Sequence, residues 1–305
     1  MKENKNYLYN NYINMARNLR TENNLFKALK FYKKAYSLDL GKEDIELLMD
    51  MALLYDEIGL TSEAEEKYNE ILKLDEDEAM AYYGLAILYD EKEDFDKAKG
   101  FYEKAIEKNP NYDKAYFFLA NIYDEEGNKD KSIYNYQKAI EINPKDLWAN
   151  ANLACIYEEL NKNEEALKYI NKALEIDPNH YKILFNKGVI LNKLNNIEES
   201  KSCYEKSIME NPQYPYSFLN LAVMYRENDE FEKAIEVISE GIKENEEESF
   251  LYYNRACFYV HIKEYLNAVK DVEKSIELNE FFSEYMKNDK ELDPIRNLKE
   301  YEHLI

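Results

Sequence analysis

Glycine and proline are scarce in this chain, with seven and six among 305 residues. A turn-rich β fold needs more of both, so the shortage favours helix. No run approaches the roughly 18 apolar residues that a membrane-spanning helix requires. The opening stretch MKENKNYLYNNYINMARNL lacks the apolar core of a secretory signal. Cysteine is sparse too: Cys155, Cys203 and Cys257 form no CxxC pair. Cys155 and Cys257 lie too far apart to bridge within one chain. An odd, scattered set of thiols fits a reducing compartment, and a soluble cytoplasmic protein is expected. Positive charge is in deficit, 40 Lys and Arg against 62 Asp and Glu, for a net charge of −22. Nucleic-acid phosphates and anionic membranes are bound through excess Lys and Arg, so neither is an expected partner.

Chemistry-bearing motifs are missing as well. The sequence holds no GxxxxGK[ST], no GxGxxG and no GxSxG, which excludes the familiar phosphate cradles and nucleophile elbows. Its three histidines, His180, His261 and His303, do not fall at metal-ligand spacing, and no cysteine joins them. Neither metal nor cofactor is expected. The abundant carboxylates read as solvated surface, because acid–base catalysis needs a pair held in a closed pocket. An enzyme is therefore not expected.

What is present is a period. Apolar residues make up 45% of the chain, enough for a real core, and 29 tyrosines suit half-buried positions where a ring packs and a hydroxyl reaches water. Frames starting at residues 9, 45, 79, 113, 147, 181, 215 and 249 align the chain with itself, and only the first carries two extra residues. Position 8 of each frame is then Ala16, Ala52, Ala86, Ala120, Ala154, Gly188, Ala222 and Ala256. Position 20 is Ala28, Ala64, Ala98, Ser132, Ala166, Ser200, Ala234 and Ala268. Every one is small. Tyrosine recurs at position 11 in six frames and at position 24 in five.

Within each half-frame the apolar positions fall at helical spacing, so a frame reads as two amphipathic helices of about three to four turns. Position 15 is Asn23, Gly59, Gly127, Asn161, Asn195 or Asp229 in six frames, types that tolerate the left-handed conformation ending a helix. Pro110, Pro144, Pro178 and Pro212 stop the second helix at position 32.

This pattern resembles the tetratricopeptide repeat family. The small residues at positions 8, 20 and 27, the aromatics at 11 and 24 and the proline at 32 carry the likeness. The stretch YYGLAILYDEKEDFDKAKGFYEKAIEKNP (82–110) is close to the family consensus. The resemblance implies an all-α, right-handed superhelical solenoid of eight helix-turn-helix repeats over residues 9–282. Residues 1–8 form a lead-in. The tail FFSEYMKNDKELDPIRNLKEYEHLI (281–305) breaks the frame, and residues 283–305 are read as the C-terminal cap that a solenoid needs. Departures are Lys187 and Arg255 at position 7 and Ile71 at position 27. Looser packing is expected in frames six and eight.

In this family the first helices line the concave wall, with positions 2, 5, 6, 9, 12 and 13 facing inward. Asn152, Asn186, Asn220 and Asn254 all fall at position 6, as does Asn14, while Asp50, Gly84 and Phe118 interrupt the row. An amide is both donor and acceptor, so it can grip a peptide unit without reading its side chain. Stacked helices about 8–10 Å apart meet roughly every third residue of a strand that advances about 3.3 Å per residue. The row resembles the asparagine ladder of repeat proteins that hold extended peptides. A second family mode, the two-carboxylate clamp for chaperone tails ending in EEVD, finds Asn121, Asn152 and Lys182 in place. Phe117 and Asn186 stand where cations are needed, which argues against that adaptor role.

One acidic feature is periodic: Asp56–Glu57, Asp90–Glu91, Asp124–Glu125 and Glu158–Glu159. Negative charge at a helix C-terminus opposes the macrodipole and brings no stability there. The pairs are read as an acidic rim that attracts Lys- and Arg-rich segments. The expected function is a non-enzymatic scaffold binding an extended protein segment in its concave groove. The alternative is a regulatory or targeting subunit of an enzyme whose catalytic partner is a separate chain. Oligomeric state does not follow from the sequence.

Overall fold

The computed structural model describes residues 2–301, with side chains from residue 6 onward. His303 and the last residues of the tail lie outside the described residues. The chain divides into two compact units, Met1–Ala149 and Asn150–Ile305, each described by itself below.

Eight helices begin the eight frames: α1 (Lys2–Thr21), α3 (Ile45–Glu57), α5 (Ala79–Asp90), α7 (Asp113–Glu125), α9 (Leu147–Glu159), α11 (Tyr181–Lys193), α13 (Pro215–Glu227) and α15 (Ser249–His261). Each is followed by a second helix: α2 (Leu25–Tyr36), α4 (Thr61–Leu74), α6 (Phe95–Lys108), α8 (Lys129–Ile142), α10 (Asn163–Ile176), α12 (Ile197–Glu210), α14 (Phe231–Glu244) and α16 (Tyr265–Leu278). No strand occurs among the described residues. Helix α1 runs from Lys2 through the stretch that precedes the first frame. The two extra residues of frame one are taken up by a 3-10 turn, Asp39–Lys42. The second helices of frames three to six end two residues before their prolines, at Lys108, Ile142, Ile176 and Glu210.

The small positions are where paired helices touch. All seven alanines at position 8, and every residue at position 20, are fully buried. The two serines keep their hydroxyls satisfied there. Ser132 Oγ donates to the Ala120 carbonyl at 2.9 Å, and Ser200 Oγ to the Gly188 carbonyl at 2.7 Å. A side chain larger than alanine would force the pair apart.

The turns are more uniform than their residue types. All eight residues at position 15 have positive φ, including Glu93 (φ 59°) and Lys263 (φ 62°). Neither is a type that favours this region, so the tight return between paired helices dictates the backbone and the side chain tolerates it. Glu93→Gly is therefore expected to raise stability by about 0.5–1 kcal/mol. Glu93→Ala, which keeps the strain, should give no such gain. Urea denaturation of the two variants checks this, and an equal or greater gain for alanine would contradict it.

Frame eight does not pack loosely around Arg255. The guanidinium makes two bonds to Asp271, Nε to Oδ2 at 2.7 Å and Nη2 to Oδ1 at 2.8 Å, and Nη1 donates to Ser239 Oγ at 2.9 Å. Asp271 is 6% exposed. Burial pushes its carboxyl above the usual range, while Arg255 opposes that shift. In frame six Lys187 lies beside the buried Cys203, whose thiol burial pushes up.

After frame eight the tail forms α17 (Phe281–Lys287) and a 3-10 turn, Lys290–Ile295. Met286, Leu292, Ile295 and Tyr301 are buried in the same apolar cluster as Leu251, Cys257, Val269 and Val272 of frame eight. Arg296 ties the tail to itself, donating through Nη2 to the carbonyls of Met286 at 2.9 Å and Asp289 at 2.7 Å.

Candidate functional site

In the second unit, Asn152, Asn186, Asn220 and Asn254 are all half-buried on their helices. Three of them donate to partners within the chain through Nδ2. Asn186 reaches Cys155 Sγ at 3.2 Å, Asn220 the Tyr204 hydroxyl at 3.4 Å, and Asn254 the Phe250 carbonyl one turn back at 2.8 Å. Among the described residues, nothing donates to the carbonyl oxygens of Asn186, Asn220 or Asn254. Each of these amides is anchored by its nitrogen, with its oxygen left to accept.

Aromatic rings run beside this row. Phe185, at position 5 of α11, lies 6.5 Å from Tyr216, at position 2 of α13, and Tyr216 stacks on Phe250 of α15 at 5.3 Å. Tyr214 joins them, 5.3 Å from both Phe185 and Tyr216. Tyr216 is 49% exposed. These rings do not stand out in a sequence with 29 tyrosines. Their signal was position: rings at 2 and 5 in adjacent frames. Lys182 is exposed at the start of α11, its ammonium 5.9 Å from the Tyr181 ring.

In the first unit, Asn121 of α7 accepts a hydrogen bond from the Tyr136 hydroxyl of α8. Phe117, where the chaperone-tail clamp needs a cation, packs edge-on against Tyr136 at 5.8 Å.

The acidic rim is less uniform than its spacing. Glu57 is 3.1 Å from Arg20, Asp124 is 2.7 Å from Lys129, and Glu158 pairs with Lys193. Glu125 and Glu159 are exposed. Glu91 is exposed as well, whereas Asp56 and Asp90 are half-buried. Among the described residues no lysine or arginine pairs with them, and Asp90 takes only the Tyr102 hydroxyl at 3.0 Å. Burial pushes all three carboxyls up, and the charges of Asp56 and Asp90 push Glu91 further.

One cysteine has carboxylate neighbours at the C-terminal end. Cys257 Sγ and carboxylate oxygens of Asp289 and Glu291 all lie within 4.8 Å of one another. His261 Nε2 is 4.0 Å from Glu291. The residues come from α15 and the tail, so sequence spacing gave little sign of the cluster. Its carboxylates are already engaged: Arg226 pairs with Glu291, and the Tyr253 hydroxyl donates to Asp289. His261 stacks on Phe231 at 4.5 Å. The arrangement locks the tail to frame eight.

Paired helices with a left-handed residue at each return, and small residues where the pairs cross, define an α-helical repeat protein. Models of the tetratricopeptide repeat match residues 79–112, 113–146, 149–180, 169–201 and 251–282, together about half of the chain. The chain belongs to the tetratricopeptide repeat (TPR) family. A model of anaphase-promoting complex subunit 5 also matches residues 194–266.

Solved structures agree on the fold. The crystal structure of YrrB, described as a TPR protein with an unusual peptide-binding site, is 25% identical with a TM-score of 0.53. That match covers 61% of this chain and 95% of YrrB. A TPR protein from Parabacteroides merdae is 19% identical with a TM-score of 0.58, covering 80% of this chain and 97% of the other. The APC/C heterotetramer Cut9–Hcn1 is 14% identical with a TM-score of 0.55, covering 92% of this chain and 52% of that one. No relative is found among curated proteins. No helix among the described residues is long and apolar enough to cross a membrane.

Proposed function

We propose that this chain is a non-enzymatic scaffold that holds an extended protein segment along the asparagine row of its second unit. The observation that carries the reading is the state of the amides. Asn186, Asn220 and Asn254 stand at the same position of successive frames, each with its nitrogen bonded within the chain and its oxygen unclaimed. Such an oxygen accepts a backbone N–H from any sequence, which is what a carrier of extended segments needs. Asn152 continues the row. Phe185, Tyr216 and Phe250 add apolar contact for the segment's side chains. Lys182 supplies a cation beside them, and Asn121 offers an amide in the first unit. The partner is a protein or peptide with basic stretches, in keeping with the net charge of −22 and the carboxylates of the first unit. The peptide-binding site described for YrrB supports the same class of ligand.

The test is the affinity of the wild type and of the fourfold Asn152/Asn186/Asn220/Asn254→Ala variant for a partner recovered from native lysate. Each lost hydrogen bond is expected to cost about 0.5–1.5 kcal/mol, so single variants weaken binding stepwise and sequence preference changes little. Unchanged affinity with an intact circular-dichroism spectrum would overturn the reading.

A second reading is a regulatory or targeting subunit of an enzyme whose catalytic partner is a separate chain; the match of residues 194–266 to a model of a complex subunit is in keeping with a subunit role. Recovery of an enzyme in stoichiometric amount would favour it. It leaves the asparagine test unaltered.

A further inference from the structure

We propose that a cleft in the first unit, lined by Arg17, Arg20, Thr21, Asp50 and Glu57 with the Tyr32 hydroxyl at its floor, takes the carboxamide of a glutamine or asparagine side chain. The inference rests on the reading above that the ligand is a protein segment. It adds recognition of a side chain to a grip on the backbone.

The cleft encloses about 440 Å³ and draws its lining from α1, α2 and α3. Tyr32 of α2 is fully buried, yet its hydroxyl has no hydrogen-bond partner among the described residues. Burial, and then the charge of Asp50, pushes this phenol up to about 12, so at neutral pH it keeps its proton and can donate. A buried hydroxyl in that state is costly, and a ligand that satisfies it removes the cost.

Other frames show what the hydroxyl lacks. Tyrosine also stands at position 24 of frames three and four. Tyr102 donates to the Asp90 carboxylate, 3.0 Å away at position 12 of its own frame. Tyr136 donates to the amide oxygen of Asn121, at position 9 of its frame. In frame one those two positions are Arg17 and Arg20, which carry donors only. Both are turned to the next first helix. Arg17 Nε is 2.7 Å from Asp50 and its Nη2 3.4 Å from Glu46, while Arg20 meets Glu57 at 3.1 Å through Nε and Nη2. The acceptor found in frames three and four is missing here. Nη1 of neither arginine bonds to another described residue, so the groups still free are donors.

Charge and reach decide the ligand. Two guanidinium groups and two carboxylates line the cleft, and their charges cancel. A carboxylate would meet guanidiniums already neutralised, in a chain of net charge −22. A lysine would bring only donors to a floor that needs an acceptor. A carboxamide is uncharged, and its oxygen can accept from Tyr32 and an arginine Nη1 while its nitrogen donates to Asp50 or Glu57. A main-chain amide is set aside by depth. Tyr32 comes from a second helix, behind the first helices along which the segment lies. The two arginines are 46% and 30% exposed, long side chains that can part without moving backbone.

The experiment uses the full chain and three capped pentapeptides: glycines with a central glutamine, glycines with a central glutamate, and glycine throughout. The chain has five arginines, so the Nε–H signals of Arg17 and Arg20 are readily followed by NMR and assigned from Arg17→Lys and Arg20→Lys. The glutamine peptide is expected to shift both signals saturably, about fivefold or more tightly than the glutamate peptide. The glycine peptide should leave them in place. Tyr32→Phe should weaken the glutamine peptide by about three- to tenfold, the loss of one hydrogen bond. It should not lower the melting temperature, because the hydroxyl it removes is unpaired. Tyr102→Phe removes a paired hydroxyl, so it should lower the melting temperature and leave the peptide's affinity unchanged. No saturable shift, an equal response to either of the other peptides, or the same behaviour from Tyr32→Phe and Tyr102→Phe would overturn the proposal. The asparagines of the second unit take no part in this readout. Failure of the cleft and failure of the backbone grip are thus told apart.

Discussion

Asp271→Ala is expected to destabilise the protein by about 3–5 kcal/mol, a large effect for a single side chain outside any apolar contact. Asp271 is 6% exposed and receives two hydrogen bonds from Arg255. Removing it leaves a largely buried guanidinium with the Ser239 hydroxyl as its remaining hydrogen-bond partner, between the rings of Tyr252 and Tyr259. An uncompensated buried charge is the costly outcome, whereas the intact pair itself adds little over an apolar replacement. The double variant Arg255→Leu/Asp271→Leu should therefore recover most of the loss. Thermal denaturation of the single and double variants checks both statements. A double variant as unstable as the single one would mean that the pair contributes by itself.

The second large effect concerns the tail. Deleting residues 283–305 removes Met286, Leu292, Ile295 and Tyr301 from the cluster that covers frame eight. Each buried apolar side chain contributes about 1.5–3 kcal/mol, so the total rivals the whole stability of an ordinary domain. A repeat array is held by neighbour interfaces, so the loss is expected to fall on the last frame. Amides of α15 and α16, together with the newly bared Val272, Tyr252 and Tyr259, should exchange rapidly while α11 and α12 stay protected. Protection of α15 and α16 equal to that in the full chain would contradict the capping role.

The helices were legible because their signals are local. Alanine at position 8, proline at position 32 and apolar residues at helical spacing each report on their own turn of chain, and seven first helices begin at the frame starts. What stayed hidden depends on partners distant in sequence. Glu93 and Lys263 carry no sign of left-handed backbone, because the helix pairing imposes it. Arg255 departs from the repeat by its position alone, and its neutralising partner, Asp271, lies sixteen residues on. The eight rim carboxylates looked alike by spacing. Arg20, Lys129 and Lys193 reach three of them, and Asp56 and Asp90 are half-buried while the others unreached are exposed; which carboxylate a long side chain reaches is a tertiary choice. The asparagine row was legible as a row. That its nitrogens are anchored and its oxygens unclaimed was not.

The central claim, that a protein segment lies along the first helices of the second unit, is open to one direct measurement. A photo-crosslinking phenylalanine analogue is placed at Tyr216 of α13 or at Met209 of α12, which are 49% and 79% exposed. Each variant is irradiated with the recovered partner and the adducts are sequenced. The account predicts a crosslink from Tyr216, beside the asparagines, and none from the more exposed Met209. Equal labelling from both, or labelling from Met209 alone, would contradict it.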